Sequence, residues 1–180
     1  MDIKPIPNRV IRPIPIPGHR TALVVLATVL LAVVGLGQPQ TVVAENAPEV
    51  VFPRSSLTIE TATGQYMFSV EVADTRARRM QGLQHRQTLA PDAGMLFDYG
   101  ESREVAMWMK NTHISLDMLF IDEAGRVARV ASNTEPFSLS PISSGEPVKA
   151  VLELNAGTAR RLDIRPGDHV HHEIFDASAK

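Results

Sequence analysis

Two polar groups stand inside one apolar segment of the sequence, residues 107–122, and their residue types are suited to binding. Trp108, Lys110 and Asn111 come first, and Asp117 interrupts a later apolar stretch. An aromatic plate beside convergent polar groups is typical of ligand sites. The sequence therefore predicts a corner that binds a small polar ligand or a cell-envelope polymer. Further candidate members of this site are Thr112, Arg86 and Glu153.

Asp117 is the unusual residue of this segment because it alternates in phase with Leu119 and Ile121. In a strand such residues share one face, so the carboxylate is expected to be buried. A buried carboxylate destabilises the fold unless it is hydrogen-bonded or paired. Two roles remain open: Asp117 and Asn111 hold the connecting turn through bonds to the backbone, or Asp117 lines a pocket.

Catalysis is the second hypothesis. The sequence contains neither Gly-x-Ser-x-Gly nor His-Glu-x-x-His, and no phosphate-binding glycine loop. Asp117 and Glu153 could serve a hydrolase as an acid/base pair, but an acidic domain offers many such pairs. Because no motif brings a mechanism with it, we favour a non-catalytic module over an enzyme.

Metal binding is a weaker alternative. Thioether and imidazole ligands suit cuprous copper, although methionine is also a common core residue. The chain has no cysteine, which excludes disulfides and thiolate ligands. The three histidines between residues 169 and 172 lack carboxylates at zinc-like spacing and are expected to be exposed. We therefore expect no metal or cofactor. The candidate copper ligands are Met107, Met109, His113 and Met118.

The first 44 residues follow the pattern of an export signal. Residues 1–20 carry four basic side chains, residues 21–37 are uncharged and apolar, and residues 42–44 (Val-Val-Ala) resemble a cleavage site. We expect cleavage after residue 44 and a periplasmic or secreted protein. The alternative is an inner-membrane anchor formed by residues 21–37, which is shorter than the roughly 20 residues of a typical span.

The charge balance argues against nucleic acid as a partner. Without residues 1–44 the chain keeps 14 basic and 19 acidic residues, a net charge of −5. Phosphate contacts require concentrated Lys and Arg. The densest basic run, residues 76–79, is predicted to form the solvated face of a helix.

Short alternating segments must position the candidate residues. A hairpin is predicted over 57–61 and 66–72, with a turn at Gly64. A short helix follows, capped by Asp74 or Thr75 and ended at Gly82. A second short helix ends at Leu162. Further strands are predicted over 95–97, 103–109, 116–121, 126–130, 148–154 and 169–174.

These elements predict a mostly β, α+β fold, in which an antiparallel or mixed sheet closes toward a small barrel with two short helices. A single domain is expected over residues 57–175. A linker over 45–56 precedes it and a tail over 176–180 follows it.

Seven sequence motifs follow one another in the order Val72-Ala73-Asp74-Thr75, Gly82-Leu83-Gln84-His85-Arg86, Gly94-Met95-Leu96-Phe97, Trp108-Met109-Lys110-Asn111-Thr112, Leu116-Asp117-Met118-Leu119-Phe120-Ile121, Val151-Leu152-Glu153-Leu154 with Ala156-Gly157, and Pro166-Gly167-Asp168. Together they resemble the bacterial and archaeal family called domain of unknown function 192, over about residues 68–175. Gln84 stands where that family generally has methionine, and Ser115 where it generally has proline. The resemblance implies a small, mostly β and often exported protein, and it implies no activity.

Overall fold

The computed structural model describes residues 50–176 of the 180-residue chain. The predicted signal peptide over 1–44, the first part of the predicted linker and all but the first residue of the predicted tail lie outside these residues. Within 50–176, no helix has the length and apolar character needed to cross a membrane.

Nine strands and two short α-helices form between residues 50 and 176, together with a 3₁₀ turn at Glu173–Phe175. The strands are β1 (Arg54–Thr61), β2 (Gly64–Ala73), β3 (Ala93–Arg103), β4 (Ala106–Met107), β5 (Leu116–Ile121), β6 (Val127–Ala131), β7 (Ile142–Ser143), β8 (Val148–Asn155) and β9 (His169–His171). The helices are α1 (Arg76–Gln81) and α2 (Thr158–Arg161).

Seven of these strands form one mixed sheet in the order β6-β5-β8-β3-β2-β1-β9, and β4 pairs with β7. The pairing of β2 with β3 is parallel because α1 carries the chain back between them, and the other ladders are antiparallel. The sheet curls into a half-barrel. Its two edge strands meet where Arg126 pairs with His169 and the Val127 N–H donates to the Asp168 carbonyl at 2.8 Å. The predicted fold class is confirmed.

The two faces of the sheet bury two separate cores. The inner core lies within the half-barrel and includes Leu119, Ile121 and Leu152. The outer core lies on the opposite face of β3, β5 and β8, under the loops that connect them, and includes Phe97 and Met118. Every residue of β5 is buried, because this strand is covered on both faces.

The structure confirms most of the predicted elements. The hairpin forms, the Thr75 hydroxyl accepts the Arg78 N–H at 3.3 Å to cap α1, and Gly82 ends that helix at φ 49°. The strand predicted over 103–109 is wrong as one element, since Arg103 ends β3 and only Ala106–Met107 of the remaining residues belongs to a ladder. The side chains of this segment do alternate between buried and exposed positions. Its backbone forms isolated hydrogen bonds with residues 134–147 instead of a ladder; for example, the Met109 N–H donates to the Ser138 carbonyl.

Candidate functional site

A cleft of about 720 Å³ opens on the outer-core side of the sheet. Its walls come from α1, the end of β3 and the segment 106–112, and its floor is β8. The sheet supplies a rigid floor, whereas the loops supply side chains that reach over it. The main lining residues are Arg76, Arg79, Met80, Tyr99, Arg103, Trp108, Lys110, Thr112 and Glu153.

Glu153 forms the floor of this cleft. Its side chain lies between Met95 of β3 and Met118 of β5, its partners in the two ladders, and only 4% of the residue is exposed. Between residues 50 and 176, no ion pair or hydrogen bond joins its carboxyl group to another residue. Its oxygens are not fully enclosed, because the one fully enclosed polar side-chain atom without a partner in this range is Nδ1 of His169. Burial raises the pKa of Glu153 to about 8, so the acid is largely neutral at pH 7.

Four basic side chains surround the mouth of the cleft. Arg76 and Arg79 come from α1, Arg103 from the end of β3 and Lys110 from the following loop. None of them forms an ion pair with a carboxylate within the described part of the chain. Arg79 is held in place, because its guanidinium donates to the carbonyls of Asp74 and Asp98, each at 2.6 Å. The mouth therefore carries four basic side chains whose N–H groups can donate to an anion.

Tyr99 connects the basic mouth to the acidic floor. The guanidinium groups of Arg79 and Arg103 lie 5.4 and 5.0 Å from the centre of its ring, which is favourable for cation–π contact. Its hydroxyl donates to the Met107 sulfur at 3.2 Å. Burial and then the neighbouring Glu153 raise the pKa of Tyr99 to about 12, against the opposing effect of the two arginines. Tyr99 therefore stays neutral at physiological pH.

Trp108 is an exposed aromatic plate on the wall of the cleft. Of its surface, 55% is open to solvent, which is unusual for a tryptophan. The Lys110 ammonium lies 5.4 Å from the centre of the indole. An exposed plate beside a cation can pack against a flat or ring-shaped ligand that carries negative charge.

The loops beside the cleft are held in strained backbone conformations. His85, Asn111 and Phe137 all have positive φ values, of 65°, 54° and 62°. Backbone hydrogen bonds join them, because the His85 N–H donates to the Asn111 carbonyl at 2.8 Å and the Phe137 N–H to the Thr112 carbonyl at 3.2 Å. Non-glycine residues in this region cost about 1 kcal/mol or more each and cluster at functional sites.

Asp117 does not belong to the cleft. It faces the inner core with Leu119, on the side of the sheet opposite to Glu153. Its two oxygens accept the backbone N–H groups of Asn133 at 2.9 Å and of Ala159 at 2.8 Å. The carboxylate thus attaches a loop and the start of α2 to β5. The predicted acid/base pair of Asp117 and Glu153 is wrong, because the sheet separates the two side chains.

Two other predicted site residues lie beside the cleft rather than in it. Arg86 forms an ion pair with Glu71 and lies over the Phe52 ring at 5.8 Å. The Asn111 amide donates to the Gln84 side chain at 3.1 Å, so it supports the cleft wall from behind. The structure therefore brings together four of the seven predicted residues, namely Trp108, Lys110, Thr112 and Glu153.

The candidate copper ligands have packing or hydrogen-bonding roles in the fold, and Met107, Met109 and Met118 all belong to the outer core. Met107 and Met109 each accept a hydrogen bond at sulfur, from Tyr99 at 3.2 Å and from Thr134 at 3.1 Å. Met118 lies in the outer core, and His113 packs its ring edgewise on Phe137 at 4.8 Å. Between residues 50 and 176, no group of three His, Cys, Asp or Glu side chains is arranged to hold a metal ion.

The basic residues contributed by α1 and the end of β3 were not among the predicted site residues. The run over 76–79 looked like a solvated helix face, and Arg76 and Arg79 in fact turn toward the cleft. The available signal was the position of this run directly after β2. A helix that begins directly after one strand and leads back to a parallel neighbour places its first turn near the carboxyl ends of both strands.

Comparison with known proteins identifies the family and leaves the activity open. Residues 58–172 match the model of domain of unknown function 192, described as an uncharacterized ACR, and the predicted resemblance is confirmed. A Sinorhizobium meliloti 1021 structure, provisionally named a transcription regulator, is 46% identical with a TM-score of 0.68, over 71% of this chain and 99% of its own. A Novosphingobium aromaticivorans DSM 12444 protein of unknown function is 35% identical with a TM-score of 0.65, over 71% and 95%. No curated protein matches significantly.

Proposed function

Because the chain belongs to the domain of unknown function 192 family, which brings no activity with it, we propose a function from the cleft itself. The protein is a non-catalytic module that binds a small organic anion with a flat or ring-shaped apolar part. The observation that carries this proposal is the set of basic side chains without carboxylate partners around a cleft whose floor is a nearly buried carboxyl group that forms no ion pair within residues 50–176. Polar groups that are withdrawn from water normally have partners in the protein. A nearly buried carboxyl group that is open only to a cleft therefore suggests that a ligand supplies its hydrogen-bond partner.

Charge supports an anion rather than a cation as the ligand. Four basic groups and one largely neutral acid line the cleft, and Arg103 and Lys110 have no carboxylate partner within residues 50–176. The aromatic wall of Trp108 and Tyr99 supports a ligand with an apolar face. A cleft of about 720 Å³ lies within the range of sites for small molecules.

Duplex DNA is a poorer candidate, although the Sinorhizobium relative is provisionally named a transcription regulator. The two described α-helices have six and four residues, too short for a recognition helix that lies along a major groove. The basic groups of the cleft also face a concave space rather than a projecting surface. A short DNA duplex therefore serves as a control ligand in the experiment below.

Trp108 makes the proposal directly measurable because it is the only tryptophan of the chain. We would titrate the protein with benzoate, adenosine monophosphate and galacturonate, and with their uncharged counterparts benzamide, adenosine and galactose, and follow tryptophan emission. At least one anion should change the emission, with its neutral counterpart binding about tenfold more weakly or worse. Equal binding of anion and counterpart, or no response to any anion at millimolar concentration, would contradict the proposal.

Substitutions at the mouth test whether the response comes from the cleft. Arg103→Gln and Lys110→Gln should each weaken the anion about threefold to tenfold, because each removes a charge-assisted contact. Arg161→Gln is the matched control, since Arg161 is exposed and does not line the cleft. A DNA duplex should bind no better to the wild type than to the two mouth variants at physiological salt.

The proposal also places the module outside the cytoplasm. The support is the sequence pattern of residues 1–44 alone, with its basic start, its apolar stretch over 21–37 and its cleavage-like end. Cell fractionation and the mass of the recovered protein test this placement. A chain that begins at Glu45 in the periplasm or medium is expected, and an intact cytoplasmic chain would contradict it.

A further inference from the structure

The carboxyl group of Glu153 is a polar group that the fold does not explain. It is buried between Met95 and Met118, whose side chains offer no strong hydrogen-bond donor, and the rest of its surroundings belong to the outer core. A leucine or methionine at this position would complete the core without a desolvation cost. The one direction from which a partner can reach the carboxyl group is the cleft.

The groups that face Glu153 define the other end of such a partner. Tyr99 and Arg103 approach from β3, Arg76 and Arg79 from α1, and Lys110 from the loop after β4. A ligand that spans the cleft must therefore place negative charge at the mouth. It must also place an uncharged hydrogen-bonding group at the floor, where an anionic group would face the acid.

The side wall adds a third requirement. Trp108 offers an exposed flat surface on the wall of the cleft, which suits the C–H face of a sugar ring or another compact ring. A sugar acid meets all three requirements. It carries a carboxylate, a ring with an apolar face, and hydroxyl groups that can both donate and accept hydrogen bonds.

We propose that the cleft binds a sugar acid, and that Glu153 selects it by hydrogen bonding to a ring hydroxyl while the carboxylate lies among the arginines and the lysine at the mouth. This inference rests on the proposed function and names its ligand class. A free sugar acid and the end of an acidic polysaccharide share this chemistry. Glu153 is in this account a specificity-determining residue, and no bond of the ligand is broken.

The neutral state of the acid at pH 7 supports this arrangement. Burial holds the proton on Glu153 up to about pH 8, which lets the group donate to a hydroxyl oxygen and avoids repulsion of the ligand carboxylate. Above that pH the ionised group can accept but repels the anion. Affinity for a sugar acid should therefore fall as pH rises from 7 to 9.

The test uses galacturonate as the probe and two variants of the full chain. Glu153→Gln keeps a neutral hydrogen-bonding group and should bind galacturonate within about threefold of the wild type at pH 7, with no loss up to pH 9. Glu153→Leu removes the polar group and should bind about tenfold more weakly at pH 7. Leucine suits the surrounding apolar side chains, so this variant is expected to fold, and urea unfolding verifies that.

The outcomes separate this inference from the proposed function. If no anion changes Trp108 emission, the proposed function fails and this inference fails with it. If benzoate or adenosine monophosphate binds but galacturonate does not, the cleft remains an anion site and the sugar-acid class is wrong. Equal binding of galacturonate by Glu153→Leu and wild type, or a pH profile that Glu153→Gln leaves unchanged, would overturn the role of Glu153. Comparison of galacturonate with its trimer then distinguishes a free sugar from a polymer end, since only the polymer gains contacts outside the cleft.

Discussion

Replacement of Asp117 by asparagine should destabilise the protein strongly, although the change is nearly isosteric. The Asp117 carboxylate is fully buried, and each of its oxygens accepts one backbone N–H, from Asn133 and from Ala159. An asparagine offers one oxygen and one NH₂ group. It can therefore satisfy one of these donors, and its NH₂ group must face the other. A hydrogen bond to a charged acceptor contributes about 1.5–3 kcal/mol, and the orphaned buried donor adds to the loss. We expect a decrease of about 2–4 kcal/mol in the free energy of unfolding.

Asp122 offers a matched control within the same chain. Its carboxylate also accepts two backbone N–H groups, from Ala124 at 2.9 Å and from Arg126 at 2.8 Å, but both bonds go to the same oxygen. The amide oxygen of an asparagine can replace that oxygen and keep both bonds. Asp122→Asn should therefore cost less than about 1 kcal/mol.

Urea unfolding followed by circular dichroism measures both variants at one pH and one salt concentration. The m-value should stay constant, so that a shift of the midpoint reports stability. Equal losses in the two variants would refute the bond-by-bond reasoning, and so would a loss below about 1 kcal/mol for Asp117→Asn. Loss of galacturonate binding by a folded Asp117→Asn variant would contradict the placement of Asp117 outside the cleft.

Three further predictions test the site and the sheet. Glu153→Gln should be within about 1 kcal/mol of wild-type stability at pH 5 and exceed it by about 4–5 kcal/mol above pH 8. The folded acid keeps its proton to about pH 8 and the unfolded one releases it near 4.5, so rising pH favours unfolding of the wild type. Parallel pH–stability curves would contradict this. Iodide should quench the fluorescence of Trp108 about twofold or more better than caesium does, because the Lys110 ammonium lies 5.4 Å from the centre of the indole and attracts anions. Lys110→Gln should reduce the ratio of iodide to caesium quenching. Gly94→Ala should lower the free energy of unfolding by about 1–3 kcal/mol or more, because its new Cβ would lie 2.8 Å from the Glu153 carbonyl oxygen. Gly100→Ala is the control: its Cβ would meet open space, so only the positive φ of 76° should contribute, at about 1 kcal/mol.

Alternation and turn residues were sufficient to predict most of the fold. The β5 strand was predictable because apolar residues alternate onto both of its faces, so that both faces need to be covered. Helix α1 was predictable because Thr75 and Gly82 mark its ends. Burial of Asp117 followed from its phase with Leu119. The alternation of side chains also places Asp117 and Glu153 on opposite faces of the sheet, but this becomes clear only once the register of β5 with β8 is known. A single sequence does not carry that register.

The cleft itself was only partly predictable for the same reason. Trp108 and Lys110 are adjacent in sequence to other polar residues, so local pattern identified them. Arg76 and Arg103 join them only through the parallel pairing of β2 with β3, which brings the start of α1 beside the end of β3. Long-range pairing of this kind leaves no periodic signal in either segment.

The two buried acidic residues of the sheet, Asp117 and Glu153, should respond to substitution with opposite changes in the free energy of unfolding. The sign of this change distinguishes a buried acid that supports the fold from one that serves a ligand. Asp117 has its full set of backbone donors, so its replacement should destabilise the protein and leave the ligand response intact. Glu153 has no protein partner, so Glu153→Leu should stabilise the protein and weaken the ligand response. A residue that destabilises its own fold and strengthens ligand binding is the expected compromise at a functional site. If instead Glu153→Leu lowers stability, the carboxyl group has a partner within the fold and needs no ligand at the floor of the cleft.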